Sequence, residues 1–154
     1  VLAMVGLPAR GKSYIAKRVS RYLTWMGVAS HIFNVGAYRR NILGTHHQHN
    51  FFDPANEEAQ RKRQELADAA MKDMLEFLSK SGKVALFDAT NTTRERRKWL
   101  REILTEHNMQ LVFIESICTD QNIIETNIRA TKLTSPDYVN VNPDDAVSDF
   151  KARI

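Results

Sequence analysis

Residues 6–13 read Gly6-Leu7-Pro8-Ala9-Arg10-Gly11-Lys12-Ser13, the pattern G-x-x-x-x-G-K-S. Two glycines let a backbone curl so that successive N–H groups point inward. A helix N-terminus behind them completes a cradle for polyphosphate. The flanks fit this reading: Val1 to Val5 is an apolar run of strand length, and helical spacing opens at Ser13. The stretch predicts a nucleoside triphosphate bound along residues 6–13, with Lys12 reaching the outer phosphates and Ser13 a ligand of Mg²⁺. It does not name what receives a phosphoryl group.

Outward from the loop, strands and helices alternate. Ile15, Val19, Tyr22, Leu23 and Met26 fall at helical spacing, with Gly27 as a stop. A short strand is expected within residues 28–35, ended by Gly36. Residues 36–55 read as irregular and carry His46, His47 and His49 without the partners a metal site needs. A long helix is expected from Asn56 to Ser81, apolar along one face except at Asp73. Lys83 to Asp88 reads as a strand, and Thr92 with Glu95 as the capping box of the next helix. A strand at residues 110–115, a helix at 120–130 and a last helix after Asn142-Pro143 follow, the last with Val147, Phe150 and Ile154 on one face. The alternation predicts an α/β fold, P-loop NTPase-like, with three layers and a mainly parallel sheet flanked by helices.

Composition bounds the classes. The 154 residues suit one domain, and 43% hydrophobic with 26% charged residues is ordinary for a soluble globular protein. No apolar run approaches the ~20 residues that span a bilayer, so no membrane partner is expected. Cys118 is the single cysteine, which excludes an intrachain disulfide and agrees with a cytoplasmic setting. The chain begins without Met and directly in a strand, and reads as one P-loop kinase domain over 1–154, trimmed at both ends. Net charge is +4. The basic clusters at 39–40, 61–63 and 94–101 suit nucleic acid, phosphorylated metabolites or plain solvated helix faces equally.

Val84-Ala85-Leu86-Phe87-Asp88 is an apolar strand ending in a carboxylate, a Walker B-like arrangement in which Asp88 holds Mg²⁺ or accepts a substrate proton. The hydroxyl, amide and arginine groups of Ala89 to Arg97 follow at the strand's C-terminal end, where open α/β sheets bind ligands. They predict a second anion site, to which Arg39, Arg40 and Arg63 can contribute. Cys118 closes the fourth strand on the same edge, as a reactive thiol or as a small apolar residue.

Taken in order, Gly-Leu-Pro-Ala-Arg-Gly-Lys-Ser-Tyr, Phe-Asn-Val-Gly-Ala-Tyr-Arg-Arg, Phe-Asp-Ala-Thr-Asn-Thr-Thr-Arg-Glu-Arg-Arg, Phe-Ile-Glu-Ser-Ile-Cys and Ser-Pro-Asp-Tyr closely resemble the kinase half of 6-phosphofructo-2-kinase/fructose-2,6-bisphosphatase. The resemblance covers almost the whole chain, and Phe87 to Arg97 is its most specific part. It implies transfer of the ATP γ-phosphate, with Mg²⁺, to the 2-hydroxyl of fructose 6-phosphate. By the same resemblance Gly6 to Tyr14, Asn127 and Lys132 contact ATP. Asp88 and Cys118 match active-site positions, and Arg39, Arg63, Thr90, Arg96, Lys132 and Arg153 contact fructose 6-phosphate.

Two departures stand out. Asp53 stands where several relatives have arginine. The chain also stops at Ile154, before a late substrate-contact tyrosine and without the phosphatase half, so weak ligand binding by the fragment is expected. A C-terminal bisphosphatase domain is implied in the parent, and a homodimer is compatible with it. The alternatives are another small P-loop kinase, acting on a nucleic-acid end or a different metabolite, and a non-catalytic nucleotide-dependent interaction module. Nucleic acid is disfavoured as a partner, because no RNA-binding motif or stacking pattern is present.

Overall fold

The computed structural model describes residues 1–45, 49–53, 55–132 and 136–138, with single positions at 142, 145, 147, 148 and 151; the side chains of 49, 50, 131, 132 and 138 are excluded. Four strands, β1 (Leu2–Val5), β2 (Ser30–Asn34), β3 (Val84–Asp88) and β4 (Val112–Glu115), form one sheet in the order β2-β3-β1-β4. Every pairing is parallel. Successive parallel strands need crossovers, and the helices supply them: α1 (Lys12–Trp25), α2 (Val35–Leu43), α3 (Glu57–Lys80), α4 (Arg94–Glu106) and α5 (Gln121–Lys132).

Alternation along each strand sends side chains to both faces, and both are covered. On one face Met4, Leu86 and Ile114 meet Ala16, Ile15 and Val19 of α1. On the other, Ala3, Phe33 and Phe87 meet Ala70 and Met74 of α3 and Leu100 and Leu104 of α4. This double cover is why β1 and β3 read as continuous apolar runs rather than alternating ones. The expected three-layer α/β architecture is the one found. Among the described residues no helix is long and apolar enough to cross a membrane.

The structure corrects the reading of residues 36–55. Their first part is helix α2, and Gly36 lies inside it rather than ending β2. The cause is Asn34, whose Oδ1 accepts from the Ala37 N–H at 2.8 Å and so caps the helix. A Cβ on Gly36 would come within 3.1 Å of that capping oxygen, which explains the glycine in a first helical turn. The α4 cap is also one residue later than expected: Thr93, not Thr92, accepts from the Arg96 N–H at 3.2 Å. The polar exception on α3 is accounted for, since Tyr38 donates its hydroxyl proton to Asp73 at 2.6 Å. Burial and that bond raise the Tyr38 pKa. The helix expected after Asn142 falls mostly outside the described residues. Within it Val147 is buried against Ile124 and Ile128, while Phe150 and Ile154 lie outside.

Candidate active site

The predicted phosphate loop joins β1 to α1. Gly6 has φ 139°, and a Cβ there would sit 2.6 Å from the Ser116 carbonyl oxygen, so only glycine fits. Ala9 and Gly11 also have positive φ, 59° and 83°. These reversals turn the carbonyls outward, and each from 7 to 11 finds a donor. The Leu7 carbonyl accepts from Lys12 Nζ at 2.6 Å, Pro8 from Arg10 Nη1 at 3.0 Å and Ala9 from Asn127 Nδ2 at 3.0 Å. The Arg10 carbonyl accepts from Ser116 Oγ, and Gly11 from the Ile15 N–H at 2.9 Å. Gly11 is the N-cap of α1 and offers no side-chain oxygen. Among the described residues nothing caps the N–H groups of residues 12–14, at the positive end of the helix dipole.

Lys12 is 9% exposed beneath the loop. Burial pushes its ammonium down to about 8, with Asp88 opposing the shift and Arg10 adding to it. Asp88, at the end of β3, is 3% exposed. Its Oδ2 accepts from Asn34 Nδ2 at 2.5 Å. The β2–β3 register sets Asn34 directly beside Asp88, so one amide both caps α2 and holds the carboxylate. Among the described residues, the other carboxylate oxygen takes no such bond. Ser13 lies in the first turn of α1 and is exposed. Tyr14 is 63% exposed, with its ring against Arg18 rather than the loop.

A second loop, residues 89–93, lies against the first. The Thr90 carbonyl accepts from the Gly6 N–H at 2.9 Å. Asn91 is buried with φ 47°, and its Nδ2 donates to the Met4 carbonyl at 2.8 Å. Arg97 donates to the Asn91 and Thr92 carbonyls at 3.0 and 2.6 Å, which engages that arginine structurally.

Of the predicted acceptor arginines, the structure brings Arg63 and Arg96 into each other's field. Burial pushes Arg96 below its ordinary value, Asp68 supports its charge and Arg63 opposes it. Arg96 lies over the Trp99 ring, 5.0 Å from its centre, and its Nη1 is buried with no partner among the described residues. A buried donor left open costs about 1–3 kcal/mol until something fills it. Arg63 donates to the Phe51 carbonyl; burial lowers its pKa and Asp53 counters this. The departure at residue 53 therefore sets a carboxylate in the field of Arg63. Thr90 is exposed at the mouth of the same edge. Arg39 is buried, pairs through Nη2 with Asp137, and lies 5.5 Å from the centre of the Phe52 ring. Arg40 Nη1 is 3.8 Å from the same carboxylate.

Cys118 is half-buried and enters the site by its backbone: its carbonyl accepts from Arg10 Nε at 3.1 Å, and its Sγ is 3.9 Å from the Asp120 carbonyl. Asn127 likewise braces the loop through the Ala9 carbonyl. The Lys132 side chain, Arg153 and the residues His46 and His47 fall outside the described residues. Sequence reasoning missed Asn34, Ser116 and Asp137. The first had a local signal, an N-cap residue before a helical run; the others lay within stretches that carry the family resemblance but had no local pattern of their own. Beside the loop a cleft of about 560 Å³ opens, lined by Gly6, Arg10, Glu115 and Cys118 on the β4 side and by Thr92 and Arg97 on the other.

A family model described as "6-phosphofructo-2-kinase" matches residues 1–154. The human protein named "6-phosphofructo-2-kinase/fructose-2,6-bisphosphatase 3" is 48% identical over 155 residues, covering 100% of this chain and 30% of its own length. The human protein of the same name numbered 4 is 50% identical, with coverage of 100% and 33%. The chain thus spans about a third of the length of these relatives. Among solved structures, one described as "Structure of the Mycobacterium tuberculosis APS kinase CysC in complex with AMPPNP and APS" superposes with a TM-score of 0.61 at 17% identity, over 87% of this chain and 71% of that one. At that identity the likeness concerns the fold.

Proposed function

The chain belongs to the 6-phosphofructo-2-kinase family, and from that premise we propose that the protein transfers the γ-phosphoryl group of ATP to the 2-hydroxyl of fructose 6-phosphate, giving fructose 2,6-bisphosphate. The observation that carries this reading is the adjacency of two loops of different make. An open-amide loop with buried Lys12 and Asp88 stands beside a second loop, at residues 89–93, that leads into the helix bearing half-buried Arg96.

The sheet order supports opposite sides for the two substrates. β1 and its loop are central, β3 and β2 lie to one side, and β4 lies to the other. Arg39, Arg63, Thr90 and Arg96 belong to segments on the β2–β3 side, which suits the sugar phosphate. The cleft beside β4 suits the nucleoside.

In the reaction, the N–H groups at the start of α1 hold the phosphates and Lys12 carries charge to the transferring group. ATP and fructose 6-phosphate are both anions, so Lys12 and the arginines also offset their repulsion. Mg²⁺, when bound, neutralises phosphate charge, and Ser13 with the carboxylate oxygen of Asp88 that Asn34 leaves open would hold it or its water shell. The same oxygen can instead take the proton of the 2-hydroxyl. Arg63, Arg96, Arg39, Lys132 and Arg153 would fix the sugar phosphate so that this hydroxyl faces the γ-phosphate.

The parent chain, by the names of its relatives, would add a bisphosphatase domain, and a lone half-buried thiol suits a reducing cytoplasm. The test is the full-length protein with labelled ATP, Mg²⁺ and fructose 6-phosphate, reading the position of the new phosphate by phosphorus NMR. Label on the 2-position is expected. Label at another position, or transfer only to a different acceptor in a substrate panel, overturns the reading.

A further inference from the structure

Arg39 has an unexplained environment. It is 6% exposed, as is Asp137. One guanidinium nitrogen, Nη2, pairs with Asp137, and Arg40 stands 3.8 Å from the same carboxylate. The other, Nη1, is buried without a partner among the described residues. The ring of Phe52 lies against the guanidinium. A planar fork held at one edge by a carboxylate and over an aromatic ring is fixed in orientation, and its second edge remains for an incoming acceptor.

Asp137 sits in a single 3-10 turn, Pro136–Tyr138, five positions after α5 ends at Lys132. The middle of α5 serves the donor side. Asn127 donates to the Ala9 carbonyl of the phosphate loop, and Ile124 and Ile128 pack with Ala9 and Cys118. One stretch of chain is thus tied to the donor loop by Asn127 and to an acceptor arginine by Asp137.

We propose that Asp137 is a positioning residue for phosphoryl acceptance: it orients Arg39 so that the open Nη1 edge meets the phosphate of the sugar substrate. The proposal rests on the fructose 6-phosphate reading above. Asp137 touches no reacting atom and acts through Arg39, so its loss weakens acceptor binding and leaves the donor side alone.

The test uses the full-length enzyme with Asp137→Asn, Asp137→Glu, Arg39→Ala and the Arg39→Ala/Asp137→Asn pair. Asp137→Asn is expected to raise KM for fructose 6-phosphate about tenfold, the scale of one charge-assisted bond, with kcat and KM for ATP within about twofold. Asp137→Glu keeps the charge and restores most of the loss. In the Arg39→Ala background, Asp137→Asn adds nothing. The inference is overturned if Asp137→Asn raises both KM values and lowers kcat together, if its effect adds in full to that of Arg39→Ala, or if it lowers KM for fructose 6-phosphate. The last result would mean that the carboxylate competes with substrate. Asp137→Ser, which also removes the carboxylate, carries the same comparison should Asp137→Asn fail to fold. A wild-type enzyme inactive on fructose 6-phosphate removes the functional reading and this inference with it; normal wild-type kinetics with an unchanged Asp137→Asn variant remove only the inference.

Discussion

The donor loop and the acceptor edge lie side by side but are built differently. The loop is a backbone site: eight contiguous residues, of which the carbonyls of 7 to 11 each accept a hydrogen bond, leaving N–H groups for the ligand. The acceptor edge is a side-chain site, drawn from α2, α3, α4 and the loop before α4. It holds buried guanidinium nitrogens on Arg39 and Arg96 with no partner among the described residues. A backbone cradle is complete as soon as the chain folds and will take any polyphosphate. On the proposed reading, substrate completes the arginine edge, and selectivity resides there. Substitutions should then divide cleanly, with donor-side changes acting on kcat and acceptor-side changes acting on KM for the sugar.

The sharpest way to break that division is Lys12→Met. Lys12 is the buried one of the loop's two charged side chains, and removing a charge aimed at the transferring phosphoryl group is expected to lower kcat by about 10³-fold or more. Turnover within tenfold of wild type in the coupled assay would show that the backbone alone does the loop's work. Next comes Asn34→Asp. Aspartate keeps the N-cap to Ala37 but replaces the donor facing Asp88 by a second carboxylate at 2.5 Å. Two such groups cannot both ionise easily, so kcat should fall about 10²-fold and the acid limb of the pH–rate profile should move upward. A purely structural effect would lower activity without moving that limb. Arg96→Leu tests the other side. Losing a half-buried charged donor at the acceptor edge should raise KM for fructose 6-phosphate about 10- to 100-fold while KM for ATP holds. A comparable loss in both KM values would merge the two regions into one site.

The same contrast explains what the sequence made legible. The loop, β1, β3 and α1 are read correctly because their residues are neighbours in the chain and their pattern is local. Helix α2 is missed because Gly36 reads as a stop, although Asn34 two residues earlier supplies the cap. The Asn34–Asp88 bond spans 54 positions and follows from strand register, which no local pattern reports. Arg39 and Asp137 are 98 positions apart. Residue chemistry alone predicts an anion site near Arg96; assigning the sugar phosphate to Arg39, Arg63, Thr90 and Arg96 takes family resemblance. The Lys132 side chain and Arg153, assigned in the same way, lie outside the described residues.

The smallest expected effect is one of pH, and it concerns Lys12 alone. In the folded protein without ligand its ammonium titrates at about 8, against 10.5 for an exposed lysine. Below pH 8 both folded and unfolded chains hold the proton. Between about 8 and 10.5 the unfolded chain alone keeps it, so this group makes stability rise with pH across that window. Bound triphosphate reverses the preference, because the anion favours the charged form. ATP affinity should therefore decline above pH 8, by at most about tenfold per unit. The check is calorimetric titration of Mg²⁺-ATP at pH 7, 8 and 9 beside Lys12→Arg, whose guanidinium stays charged throughout. A few-fold weakening in wild type and a flat response in the arginine variant would show that the backbone cradle depends on one titrating charge. Equal slopes in both would place the titration on the nucleotide or on another residue, and would leave the donor site a backbone device in full.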